Sequence, residues 1–189
     1  CLRFATACGV SDRTRLDLVL NDFVWSFLTK GLVTVLSDGT PLRPLIDVTD
    51  MSRAIYWASK TEIAEHFEVF NCGYNEANYS VSEIAGEVTE GDMTKVSINL
   101  DAAPDQRSYR VDFTKFEKAS GFVAALKPLS ISIADLKFQL TDVMQRFGAD
   151  DEIKKMGLVA SEDGRTWRSG IECLLRSETW TRTQGYGQE

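Results

Sequence analysis

The clearest periodic stretch of the chain is LDLVLNDFVWSFLTK, residues 16–30. Leu16, Leu20, Phe23, Val24 and Phe27 recur there at helical spacing, and Gly31 follows as a stop. Ahead of it, Leu2–Cys8 reads as a short strand running into Gly9. Behind it, Val33–Leu36 reads as another, closed by the turn Ser37-Asp38-Gly39-Thr40-Pro41. Asp50 fits the N-cap of a helix over Met51–Lys60, because its carboxylate can accept orphan amide hydrogens of the first turn. Phe67–Cys72 alternates and breaks at Gly73. Ser80 and Glu83 have capping-box spacing at the start of a helix over Ser80–Val88. Lys95–Leu100 predicts a strand, Thr114–Ser120 a short helix ended by Gly121, and Ile131–Phe147 the longest amphipathic helix. Beyond Gly148 the pattern weakens. Trp167, Ile171, Leu174 and Leu175 suggest one further helix face in a tail over residues 148–189. Strands alternating with helices predict an α/β fold with some parallel pairing.

Composition narrows the function. With 43% hydrophobic and 26% charged residues the chain is an ordinary globular sequence, long enough at 189 residues to bury a core. A formal net charge of −7 excludes the broad basic face that a nucleic acid requires, while leaving room for a small anion held by two or three local cations. No apolar run reaches the ~20 residues of a membrane span, and no signal peptide opens the chain. Cys1, Cys8, Cys72 and Cys173 form no C-x-x-C pair, and His66, the single histidine, has no spaced partner. Reduced thiols in a cytoplasmic protein are therefore expected, and no metal site.

The segment from Asp38 to Met51, DGTPLRPLIDVTDM, is the most informative. It places Arg43 between Pro41 and Pro44 in a stiff turn, before a short apolar strand. Three more segments accompany it. They are LRFATACG (Leu2–Gly9), FNCG followed by YSVSEIA (Phe70–Gly73, Tyr79–Ala85), and DQRSYRVDFTK (Asp105–Lys115) with Gly121-Phe122 after it. In this order and spacing they resemble the C-terminal portion of the extended short-chain dehydrogenase/reductases, the NAD-dependent nucleotide-sugar epimerases and dehydratases. The resemblance spans roughly residues 2–145. It implies the last strands of a Rossmann-type sheet (residues 2–8 and 67–72) interleaved with a small α/β substrate-binding lobe. That unit would cover residues 1–147, with the helical tail over 148–189.

In that family the arginine matching Arg43 grips substrate phosphate, and a planar guanidinium suits two phosphate oxygens. Arg107 resembles a second clamp, although neighbouring Arg110 leaves the register open. Asn21 matches a helix amide that contacts the nucleotide, and Val35 and Leu36 a strand that lines the base or simply fills the core. Thr6 falls on the strand expected near the nicotinamide. Asn71 and Gly73 shape a loop, and Arg13 and Arg15 resemble an arginine-rich opening or a solvated loop. The chain departs from the family pattern at Thr6 (usually Asn), Cys8 (usually Tyr), Val10 (usually Pro) and Asp47 (usually His).

The family's cofactor turn is not in these residues. No G-x-G-x-x-G or related glycine run occurs, so no backbone cradle for a pyrophosphate is encoded here. A Tyr-x-x-x-Lys spacing does occur at Tyr56 and Lys60, but it follows the Leu2–Gly9 segment, whereas the family's catalytic pair precedes it. It reads as a decoy. The intact enzyme is expected to bind NAD or NADP and a nucleotide-diphosphate sugar, with a missing N-terminal half supplying cofactor and catalytic Tyr/Lys. This chain alone should bind no cofactor, and the resemblance admits a homodimer. The rival expectation is a truncated, non-catalytic relative whose exposed sheet edge serves protein interaction.

Overall fold

The computed structural model describes residues 1–11, 14–62, 67–102, 108–121 and 127–147, with side chains to residue 145. Arg13, His66, Arg107, Cys173 and the expected tail helix lie outside the described residues. The expected α/β fold is what the chain adopts. Among the described residues, seven strands form three small sheets: β1 (Leu2–Phe4) with β5 (Phe70–Cys72), β2 (Thr6–Cys8) with β4 (Leu42–Asp47) and β6 (Asn78–Ser80), and β3 (Val33–Val35) with β7 (Val96–Ile98). Every pairing is parallel except β4 with β6. The α-helices among the described residues are α1 (Val19–Lys30), α2 (Val48–Lys60), α3 (Val81–Val88), α4 (Thr114–Ser120) and α5 (Leu129–Phe147).

The predicted strand Leu2–Cys8 is one run of backbone shared by two sheets. Leu2 pairs with Phe70, Thr6 pairs with Leu45, and between them the Ala5 amide donates to the Cys72 carbonyl at 2.9 Å. Each sheet has its own apolar packing. Around β1 and β5, buried Ala54, Phe70, Cys72 and Phe116 meet Trp57, whose ring stands edge-on to Phe70 and Phe116 at 5.2 and 5.5 Å. Around the other two sheets, α1, α3 and α5 bury Leu20, Val24, Ile84, Leu136 and Leu140. The periodic residues of α1 are thus its core face, as predicted.

Several boundaries differ, each for a local reason. Helix α1 starts at Val19 because Asp17 is engaged by Arg15 in a turn, and Leu16 buries its side chain from outside the helix. The cap of α2 is Asp47, which is extended and accepts the Thr49 amide at 2.8 Å. Asp50, expected as the cap, lies buried inside the first turn. Arg43 stands in strand β4 and not in a turn. Pro44 is tolerated there because the ladder with β2 begins one residue later, at Leu45. Residues 108–113 form no strand; the Asn78 side chain brackets Val111 from both sides, donating at 3.1 Å and accepting at 3.0 Å. The capping box of α3 and the left-handed Gly121 after α4 are as expected.

Gly9 ends β2 with φ 96°, and a Cβ there would sit 2.4 Å from Asp47 Oδ2. Strain and collision act together, so Gly9→Ala should lower unfolding free energy by roughly 2–3 kcal/mol in urea titrations. A loss below about 0.5 kcal/mol would mean that the turn relaxes freely.

Candidate functional site

A cleft of about 720 Å³ opens along one side of the β2–β4–β6 sheet. Thr6 of β2 and Arg43 of β4 meet there, with Leu18 and Asp22 at the start of α1, Leu36 just past β3, and Tyr109 opposite. Its floor follows from strand pairing: β4 lies directly beside β2, so alternate residues of adjacent strands reach the same space. Lys30 adds a second cation to the lining, and Asp17 a second acid. The Arg15 guanidinium answers Asp17 with two hydrogen bonds, one of them Nε to Oδ1 at 3.0 Å. That contact holds the Asp17 carboxyl below its usual pKa and the Arg15 guanidinium above its own. Arg43 donates Nη1 to the Leu42 carbonyl at 2.8 Å. The Leu42 amide in turn donates to Ser108 Oγ at 3.1 Å, which brings the segment bearing Tyr109 alongside the arginine strand.

The cleft therefore brings Thr6 and Arg43 together, and not Asn21 or Val35. The Asn21 amide is buried, accepting from the Gly9 amide at 3.3 Å and donating to the Arg15 carbonyl at 2.9 Å. It ties the turn after β2 to the loop that carries Arg15. Val35 is 1% exposed in the core, whereas Leu36 beside it is 82% exposed and lines the cleft. Alternation on a strand decides which of two adjacent residues reaches a ligand, and β3 ends between them. Arg107 lies outside the described residues; Ser108 next to it contacts β4. Asp22 and Tyr109 were not anticipated, and nothing in their spacing singled them out. Asn71 donates weakly to the Asp112 carbonyl at 3.4 Å, and a Cβ on Gly73 would collide with the Phe113 ring at 2.6 Å, so both shape the loop as expected.

Tyr56 and Lys60 sit on the outer face of α2, the ammonium 5.9 Å from the ring centroid and Tyr56 67% exposed. Neither lines the cleft. The thiol of Cys8 is pushed up to about 12 by burial and then by the Asp47 charge, and that of Cys72 to about 11 by burial, so neither is a ready nucleophile. Cys1, Cys8 and Cys72 are free, and among the described residues no group of acids, thiols or imidazole is disposed to hold a metal. No described helix is long and apolar enough to cross a membrane.

Residues 1–73, which include Thr6, Asn21, Val35 and Arg43, match the model of the NAD dependent epimerase/dehydratase family. That match covers the first 73 of the 189 residues. Solved structures of similar fold include MoeE5 in complex with UDP-glucuronic acid and NAD (23% identity, TM-score 0.59, covering 75% of this chain and 46% of that one). Others are the NAD-dependent NDP-hexosamine 5,6-dehydratase TunA (17%, TM-score 0.61, 74% and 45%) and a UDP-glucuronic acid 4-epimerase from Bacillus cereus (20%, TM-score 0.59, 75% and 45%). The chain thus spans slightly less than half the length of these epimerase/dehydratase structures.

At the end of β4, Asp47 is 4% exposed. Burial alone would raise its pKa, but hydrogen bonds from Ser132, Thr49 and Lys127 outweigh burial and hold it below the ordinary aspartate value. The folded state therefore binds this proton more weakly than the unfolded chain does. The resulting stabilisation is complete above an unfolded aspartate's pKa of about 3.9 and is lost as pH falls through the lower folded value. Urea midpoints measured from pH 6 downward should fall more steeply below about pH 4 in the wild type than in Asp47→Asn. Parallel curves would remove Asp47 from the acid transition.

Proposed function

We propose that this chain is the substrate-binding part of an NAD(P)-dependent nucleotide-sugar epimerase or dehydratase, and that Arg43 grips the substrate diphosphate. The observation that carries this reading is the meeting of Thr6 and Arg43, both from family-matched residues, in one open cleft of about 720 Å³. That volume lies within the ~300–1,000 Å³ range of small-molecule sites. MoeE5 and the Bacillus cereus epimerase, whose fold the chain shares, were solved with a UDP-sugar and NAD. Arg107 is proposed as the second phosphate clamp, supported by the contact of neighbouring Ser108 with β4. Asn21 acts on this site through the Arg15 loop, and Leu36, rather than Val35, offers the apolar surface for a base.

The chemistry of such a part is positioning. Binding energy from a diphosphate remote from the reacting carbon orients the sugar and lowers the entropic cost of reaction. The 189 residues encode no glycine-rich turn for a dinucleotide pyrophosphate, so no hydride step is assigned to them. NAD or NADP, with the Tyr/Lys pair, belongs on this reading to sequence outside the chain, and the chain alone should bind no dinucleotide. We place residues 2–8 and 67–72 in the Rossmann-type sheet and the remaining described elements in the lobe, supported by the parallel pairing of Leu2–Phe4 with Phe70–Cys72.

In the full-length protein, Arg43→Ala should raise KM for the nucleotide sugar roughly ten- to hundredfold, the loss of about 1.5–3 kcal/mol of charge-assisted binding, with NAD affinity unchanged. An unaltered KM takes Arg43 out of the site. Tyr56→Phe should leave kcat within about twofold in the same assay; a loss of a hundredfold or more would instead make Tyr56 catalytic.

A further inference from the structure

The Asp47 carboxylate and the Lys127 ammonium face each other at 3.2 Å where β4 ends and α2 begins. Lys127 stands just ahead of α5 and is held from both ends. Its Nζ also reaches Asp135 of α5 at 2.8 Å, and its backbone amide donates to Asp50 Oδ2 at 3.2 Å. The Ser132 hydroxyl of α5 donates to the same Asp47 oxygen at 2.6 Å. These contacts border a small pocket that is partly open to solvent. A cavity of about 90 Å³ lies among Cys8, Leu45, Asp47, Tyr74, Lys127 and Ser132. Tyr74, which lines it, is 3% exposed, and its hydroxyl has no partner among the described residues. Beside the apolar cluster that holds Leu45 and Ile133, these polar contacts are what tie the end of β4 directly to the start of α5. Arg43 lies on that same strand, four residues before Asp47.

We propose that the Asp47–Lys127 pair, with Ser132, is a positioning device for the diphosphate grip: α5 holds the far end of β4 and so fixes where Arg43 stands in the cleft. This rests on the reading of Arg43 given above. The residues touch no substrate; they act through the strand. A buried charge deprived of its partner is costly, whereas removing both charges leaves none unpaired. Loss of Lys127 should therefore displace β4, and loss of both partners should restore it.

The test is calorimetric titration of the full-length protein with UDP, dTDP, GDP, CDP and ADP, keeping the tightest binder, at a temperature well below every variant's Tm. Lys127→Met should weaken binding about tenfold, equivalent to roughly 1.4 kcal/mol. The double variant Asp47→Asn/Lys127→Met should return to within about threefold of wild type, even if its Tm remains lowered. A merely structural role lowers Tm without moving affinity. If Lys127→Met does not fold, Ser132→Ala decides in its place, with an expected weakening of about threefold. Wild-type affinity in Lys127→Met, or in Ser132→Ala where that variant decides, overturns the positioning role; so does a double variant that fails to recover. If Arg43→Ala still loses binding in those cases, the diphosphate reading stands. If no nucleotide binds the wild type, or Arg43→Ala is without effect, both readings fall.

Discussion

One carboxylate joins elements that the chain brings from far apart. Asp47 accepts the Thr49 amide to start α2, the Ser132 hydroxyl from α5, and the ammonium of Lys127. The oxygen that accepts from Ser132 and Lys127, Oδ2, also occupies the space that a Cβ on Gly9 would need. Burial on this scale is tolerable for an anion because each oxygen is occupied by a donor, which offsets the desolvation. The ladder of β4, the register of β2 and the seat of α5 all converge on this residue.

The two apolar clusters divide the labour. Trp57, Phe70 and Phe116 pack the β1–β5 pair with α2 and α4, while α1, α3 and α5 enclose the other two sheets. The cleft lies on the second of these, walled by α1 and floored by β2 and β4. Its lining mixes two acids with two bases. Arg15 pairs locally with Asp17, one of those acids.

Most of the fold was legible because its strongest elements announce themselves locally. The apolar spacing of α1, the Ser80/Glu83 box and Gly121 each encode their own boundary. What escaped was decided at a distance. Pro41 and Pro44 look like a turn until β2 and β6 arrive to pair with the residues between and beyond them. Asp47 and Asp50 are equally good caps by local sequence, and only Ser132 and Lys127, some eighty residues later, separate their roles. Arg43 and Thr6 stood out from their segments, and both line the cleft. The exchange of Val35 for Leu36 and the structural use of the Asn21 amide depended on the end point of β3 and the position of Gly9, neither of which is a local property.

The strand from Leu2 to Cys8 has a consequence for distance. Its two halves are hydrogen-bonded into different sheets, with Ala5 alone between them and itself tied to Cys72. Such a segment has no slack, and at a rise of about 3.3 Å per residue it sets Thr6 about 13 Å from Leu2 along the strand. It is a ruler. Any molecule resting against Thr6 in the cleft is held at a fixed reach from whatever lies beside Leu2, and the interval is written in four residues of extended backbone.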